Sequence, residues 1–291
     1  MKMSLDCVTC FVRQSLDAAR LVTNDHAEQE RIVRDVMRWL SEHGLEHSPP
    51  VLAQIVHRKL REISQVGDPY AAVKVRHNAM ALDLLPELRA QIAAAADPLA
   101  MATRLAIAGN VIDMGMKSMV AEDDVRESIR HALAEPFVGE WEHYRAAAAA
   151  AKSILYLADN AGEIAFDRLL IEQLGPERVT VVVRGAPVLN DATLADAHAV
   201  GLPEIVTVID NGSDAPGTLL AECSPELQRQ FAAADMVIAK GQGNFESLSA
   251  QGHDVFFLFK VKCPVIATHV GLPMGTQILR QYRQPPTKGT S

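Results

Sequence analysis

The chain has 291 residues, a formal net charge of −8, nearly half apolar residues and 22% charged ones. That acidic balance excludes a general nucleic-acid binder, which needs a surplus of Lys and Arg against the phosphate backbone, but leaves room for a small anionic substrate. No apolar run approaches the ~20 residues that span a bilayer, the first ten residues lack the apolar core of a secretory leader, and four cysteines at this length make no disulfide scaffold. A cytoplasmic, reducing compartment without a membrane partner is expected. The sequence sets no oligomeric state.

Residues 1 to about 150 read as helices. Near the start, Cys7 and Cys10 stand one helical turn apart. That spacing suits a zinc-binding or redox pair, and equally two small buried residues. A closed zinc site would need further ligands, and Cys223 and Cys263 are the available thiols. Asp25 can cap a helix carrying Ile32, Val33, Val36, Met37 and Leu40 at helical spacing, with Gly44 as its stop. Ser48-Pro49-Pro50 opens another through Val51, Ile55, Val56 and Leu60, since proline is tolerated in a first turn. Further helices are predicted over about 70–95, 97–108, 122–134 and 140–151, with no strand between them.

The period changes after Lys152. Short apolar runs at Ile154 to Leu157, Val179 to Val183, Ile205 to Ile209, Met236 to Ala239, Val255 to Phe259 and Val265 to Ala267 alternate with helical stretches at about 163–174, 191–200 and 225–233. Buried strands alternating with helices predict an α/β fold, a mostly parallel Rossmann-like sheet with helices on both faces. The expected organisation is a helical cap domain over 1–150 and an α/β catalytic domain over 151–291. In such sheets ligands bind outside the carboxyl ends of the strands, near a switch in strand order. The residues just past each strand are therefore the ones to weigh.

After the first strand comes Asp159-Asn160-Ala161-Gly162-Glu163. A carboxylate beside an amide carbonyl offers hard oxygen ligands for Mg²⁺ or Mn²⁺; the same residues also suit a helix cap, with Glu163 completing a capping box. After the second come Arg184 and, further on, Asn190-Asp191. Asp191 can cap the next helix or serve as a third oxygen ligand, and Arg184 can pair with a phosphate or lie on the surface. The third strand ends in Asp210-Asn211-Gly212-Ser213, ordinary turn chemistry. The fourth ends in Lys240-Gly241-Gln242-Gly243-Asn244-Phe245-Glu246, a glycine loop whose N–H groups can approach an anion beside a lysine, or a tight turn. Three oxygen ligands leave open positions on an octahedral ion for water and a phosphate oxygen, the requirement of a metal-assisted hydrolase.

Together these motifs resemble the damage-control phosphatase family. The resemblance rests on Asp159 to Glu163, on Pro187 with Asn190-Asp191-Ala192-Thr193, and on Lys240 to Glu246. In the helical half it extends to Gly67-Asp68-Pro69-Tyr70, Lys74, Asn78 and Gly109-Asn110-Val111-Ile112-Asp113, while Cys7-Val8-Thr9-Cys10 matches the stand-alone prokaryotic branch. It implies a divalent ion (Mn, Mg, Co or Ni) held by Asp159, Asn160 and Asp191, and a small phosphorylated metabolite such as a sugar phosphate as substrate. It also implies that Lys240 contacts the phosphate, that Gly241, Gly243, Asn244 and Glu246 form the pocket wall, and that Asp68, Asn110 and Asp113 approach the cleft from the cap. Asp159 or Glu163 would take a proton from the attacking water.

Read from these residues, the hydrolase assignment rests on two conditions: Asp191 must lie beside the Asp159–Asn160 pair, and Lys240 must face them. Three rivals stand against this reading. A nucleotide- or S-adenosylmethionine-dependent transferase wants a glycine-rich loop after the first strand and an acid after the second, where this chain has Asp-Asn and Arg184. An aspartyl-phosphate phosphatase wants a second acid two residues past the first, where this chain has Ala161. A non-catalytic metal-binding protein would leave the polar strand ends unexplained.

Overall fold

The computed structural model describes residues 1, 3–43, 46–109, 122–251 and 254–282. Its helical half comprises α1 (Asp6–Val22), α2 (His26–His43), α3 (Pro49–Ser64), α4 (Ala71–Ala94), α5 (Pro98–Ala108), α6 (Glu122–Ala134) and α7 (Trp141–Ala150). The start signals operate as expected. Asp25 accepts a hydrogen bond from the Ala27 N–H at 2.8 Å ahead of α2, Pro49 and Pro50 occupy the first turn of α3, and Asp97 caps α5 through Ala100 N–H with Pro98 at its first position.

One strand interrupts this half: β1 (Phe137–Gly139), between α6 and α7. The expectation of helices alone fails there because three residues, two half-buried and one exposed, are too few for a period of two to show. The remaining elements are β2 (Ile154–Leu157), α8 (Glu163–Leu174), β3 (Val179–Val183), α9 (Leu194–Ala199), β4 (Thr207–Asp210), α10 (Pro225–Ala233), β5 (Met236–Lys240), α11 (Gly241–Leu248), β6 (Val255–Lys260), α12 (Pro264–Val270) and β7 (Gln277–Tyr282). The run Val265 to Ala267, expected as a strand, is the middle of α12, opened by Pro264 and stopped by the left-handed Gly271. Ile205 and Val206, expected in a strand, instead donate to Leu202 O in a tight turn before β4.

The sheet runs β1-β7-β6-β5-β2-β3-β4 and is parallel except for β7 against β6. From β2 the chain moves outward through β3 and β4, then returns to place β5 on the other side of β2. The switch in strand order therefore lies between β2 and β5, and their carboxyl ends open a crevice.

Alternation along each strand feeds two cores. Ile154 and Tyr156 of β2, Val181 of β3 and Ile238 of β5 pack with Leu88 of α4, Leu105 of α5 and Leu169 of α8 on one face. Leu155, Leu157, Val237 and Phe257 pack with Phe231, Phe245 and Ile266 of α10–α12 on the other. Long helices of the N-terminal half thus cover one face of the sheet. The first three helices have a smaller core of their own around Phe11, Val36, Leu52 and Val56. Among the described residues no helix is long and apolar enough to cross a membrane.

α3 is pinned to the loop after β4 by Asp214, which accepts from Gln54 at 2.8 Å, from Arg58 at 2.5 Å and from Arg61 at 2.5 Å. On the same helix His57 is 2% exposed, and its Nε2 has no hydrogen-bond partner among the described residues. Burial, then the charge of Arg61, pushes its pKa down from 6.5 to about 4. The folded protein therefore holds His57 neutral, and on acidification the unfolded chain takes up the proton first. Stability tied to this residue is complete above pH 6.5 and falls by up to roughly 3 kcal/mol as the pH drops towards 4. In urea unfolding, His57→Gln should lose less stability between those two pH values than the wild type; parallel pH curves would show that the imidazole is already charged in the fold.

Candidate active site

The site begins with two loops zipped together. Past β2, Ala158 still donates to Val182 O, and then the chain leaves the sheet. The loop after β3 doubles back: Ala192 N–H donates to Asp159 O at 2.8 Å, Ala161 N–H donates to Asn190 O at 2.9 Å, and Asn160 faces Asp191 as an antiparallel bridge. Asp191 is free for this because it caps nothing. α9 starts at Leu194, with Thr193 and Asp196 forming its capping box. The first sequence condition is met: Asp159, Asn160 and Asp191 share one buried corner.

Crowding shows in their protonation. Burial raises the Asp159 pKa well above the usual carboxylate range, and the charges of Asp191 and Glu163 add to it. Burial also raises Asp191, against the opposing effect of Arg184. Arg184 is itself 2% exposed. Its Nε donates to Asp191 at 2.7 Å, its Nη1 donates to Asn244 Oδ1 at 3.3 Å, and its Nη2 stands 3.7 Å from Asp159. The sequence offered it a phosphate; the fold places it beneath the carboxylates as their counter-charge.

Lys240 does not meet the second condition. Its ammonium is fully buried and donates to Asp167 at 2.5 Å, to Glu163 at 2.7 Å and to Ala106 O at 2.8 Å. As the last residue of β5 it shares a face with Ile238 and points into the core between α5 and α8. Glu163, expected to handle protons, is likewise buried at the first position of α8, held by Lys240 and 3.5 Å from Asn160 Nδ2. Burial raises Asp167 to about 6, opposed by Lys240. Four buried carboxyls, Asp159, Asp191, Glu163 and Asp167, thus share two buried cations, Arg184 and Lys240.

The expected glycine loop is in fact the first turn of α11. Gly241 has φ +77°, and a Cβ there would lie 1.9 Å from Asp159 Oδ2, so only glycine lets the helix start against that carboxylate. Asn244 is buried. It donates to Lys240 O and Ala158 O and accepts from Thr218, holding α11 against β2. The stretch Ala215 to Thr218 packs on α11 closely enough that a Cβ on Gly243 would overlap Pro216 O.

Above this corner lies a cavity of about 510 Å³, within the range of small-ligand pockets. Asp159, Asn160 and Asp191 form its floor, Gly243 and Glu246 of α11 one wall, and Phe11, Gln14 and Pro50 from α1 and α3 its far side. Lys262 also lines it and lowers the pKa of both floor carboxylates. The apolar run that marks β6 in the sequence ends at Phe259 and so hides this lysine; Lys262 lies two residues past the end of β6, on the edge where the strand-end rule points. Burial pushes the Glu246 carboxyl up to about 7.

Cys7, Cys10 and Cys263 line the same cavity, and burial raises the first two thiols. Among the described residues no group of three His, Cys, Asp or Glu side chains is arranged to hold a metal, so the thiols close no site in this conformation. Any ion on the floor would take its third ligand from the Asn160 amide. Asn110 and Asp113 lie outside the described residues. Asp68 does not reach the cleft: it pairs with Lys74, which bridges to Asp196. Asn78 donates to Asp196 and accepts from Gly162 N–H at 2.7 Å, so these residues fasten α4 to the loop after β2 and to α9.

Gly241→Ala should leave the two cores intact while displacing the Asp159 carboxylate, and turnover should fall by roughly 100-fold or more. Circular dichroism beside a phosphatase assay checks this; wild-type turnover would show that Asp159 tolerates displacement.

A profile of the "Damage-control phosphatase ARMT1-like domain" matches residues 3–278. A protein of Methanocaldococcus jannaschii described as uncharacterized is 35% identical, aligned over 96% of this chain and 95% of its own length. A protein of Archaeoglobus fulgidus named damage-control phosphatase is 32% identical over 96% and 99%. The crystal structure of a DUF89 family protein from Pyrococcus horikoshii superposes with a TM-score of 0.88 at 29% identity, covering 97% of this chain and 100% of that one. The chain therefore belongs to the damage-control phosphatase family.

Proposed function

We propose that this protein is a divalent-metal-dependent phosphatase acting on small phosphorylated metabolites such as sugar phosphates, with the ion held by Asp159, Asn160 and Asp191. The observation that carries the reading is the zipped pair of loops, which sets two carboxylates and an amide side by side at the floor of a cavity. The donor set fits a hard cation: three oxygens, with both carboxylates pushed up by burial and Asp159 further by its acidic neighbours, strain that a 2+ charge would relieve. Bound there, such an ion would supply Lewis acidity towards a phosphate oxygen and a water.

The chain's own residues supply the rest. The first N–H groups of α11, at Gln242 and Gly243, have no acceptor within the helix and lie at the cavity wall, where a phosphate can receive them. Lys262 adds a full positive charge from the neighbouring strand end. Arg184 offsets the floor carboxylates from below and holds the Asp191 oxygen that faces it. Glu246 is the wall carboxyl whose pKa, about 7, suits it to pass a proton to a departing alcohol. Phe11 and Pro50 add apolar surface to the far side. Phosphoryl transfer asks mainly for such positioning and charge, and needs no protein nucleophile.

Substrate discrimination falls to α1, α3 and Tyr70, which among the described residues face the cavity from the helical half. A panel of sugar phosphates with Mn²⁺, Mg²⁺, Co²⁺ or Ni²⁺ and a chelator control tests the proposal. Chelation should abolish phosphate release and added metal restore it, and Asp191→Asn should cut turnover by roughly 100-fold or more. Full activity in excess chelator would refute the metal site. Glu246→Gln should remove an inflection near pH 7 from the profile of kcat/KM, and an unaltered profile would take the proton-transfer role away from it.

A further inference from the structure

Lys240 sits where a phosphate ligand was expected, yet its contacts are those of a structural ion. An ammonium has three N–H donors, and here Asp167, Glu163 and Ala106 O receive them. The cavity walls do not include it. Removing a lysine from phosphate duty raises the question of what its burial accomplishes.

The answer runs through Asn160. An amide ligates a cation only when its carbonyl faces the ion; turned over, it presents two N–H groups that repel it. Carboxylates on the amino side fix that choice. Asn160 Nδ2 donates to Asp159 Oδ2 at 3.1 Å and faces Glu163 Oε2 at 3.5 Å. Asp159 belongs to the floor itself, so Glu163 is the one of the two that stands outside it. The other oxygen of Glu163 is held by Lys240 at 2.7 Å, and Lys240 is anchored to α5 through Ala106 O and to α8 through Asp167. Tyr156 donates to the same Asp167 oxygen at 2.7 Å. Every member of this chain is buried. Ligand-orienting partners of this kind are worth about 10–100-fold in metal affinity.

We infer that Lys240 is a positioning residue: by anchoring Glu163 behind Asn160 it keeps the amide carbonyl turned towards the metal position, and it makes no contact with phosphate. This rests on the metal site proposed above. Lys240→Met, Glu163→Gln and the double variant are compared with the wild type by titrating Mn²⁺ into the apoprotein, followed by calorimetry and by the paramagnetic resonance of free Mn²⁺. Inhibition by inorganic phosphate is measured at saturating Mn²⁺.

The Mn²⁺ dissociation constant should rise about 10–100-fold in each single variant, and the double should be no weaker than the weaker single, because both act through one contact. The phosphate inhibition constant should stay within about threefold of wild type, as befits a residue outside the phosphate site. Unchanged Mn²⁺ affinity, additive losses in the double variant, or a phosphate constant raised about tenfold or more would each overturn the inference. Loss of Lys240 alone strands two buried carboxylates and can prevent folding. Lys240→Met with Asp167→Asn removes one buried charge of each sign and reads the same quantities. A wild type that binds no Mn²⁺ brings down the metal site and the inference with it; wild-type affinity in all variants brings down only the inference.

Discussion

Two backbone hydrogen bonds, from Ala192 to Asp159 and from Ala161 to Asn190, decide most of what this protein can do. They fold the loop after β3 back against the loop after β2 and leave Asp159 and Asp191 side by side in a buried corner. Like charges withdrawn from water repel, and the fold accepts that cost at one place only because it supplies partners underneath. Arg184 reaches both carboxylates, and Lys240 pairs with the next two inward, Glu163 and Asp167. Breaking a buried pair typically costs about 3–5 kcal/mol, so these cations are structural requirements of the corner.

The helical half is equally bound to that corner. Asn78 of α4 accepts from Gly162 N–H and donates to Asp196, and Lys74 bridges Asp196 to Asp68. Gly162 permits this approach: with φ +78°, its missing Cβ leaves room for His77, which a methyl group would meet at 2.9 Å. Lys74 and Asn78, the motif residues of α4, are thus fasteners. They hold a helix against the turn that carries Asp159 and Asn160, and that turn sets the angle at which both side chains leave the sheet.

Much of this was legible from residue order. Parallel strands announce themselves as short buried runs, and the rule that chemistry gathers past their carboxyl ends led directly to Asp159, Asn160 and Asp191. β1 escaped because it is three residues long and pairs only with β7, far along the chain. Val265 to Ala267 was misread because a brief apolar run looks the same in a helix and a strand. The Lys240 error has a different origin. Alternation already placed Lys240 on the face of Met236 and Ile238, towards the helices, but a charged residue at a strand end invites an outward reading. What no sequence rule supplies is how many acceptors a folded core will gather around an ammonium. Lys262 was overlooked for the opposite reason: the rule applied, but the strand was ended too early.

The cavity combines parts of unequal rigidity. Its floor comes from strand ends tied by main-chain bonds and buried ion pairs, which leaves the position of the oxygen ligands little freedom. Its far side comes from α1 and α3, whose small core is separate from the two that flank the sheet. α3 meets the α/β half through Gln54, Arg58 and Arg61 on Asp214, a polar cluster that is only partly buried. An ion pair whose cation stays in water, as that of Arg58 does, holds weakly compared with a buried core. The oxygen-bearing floor is thus built on the sheet, while the surface facing it across the cavity is carried by helices with a core of their own.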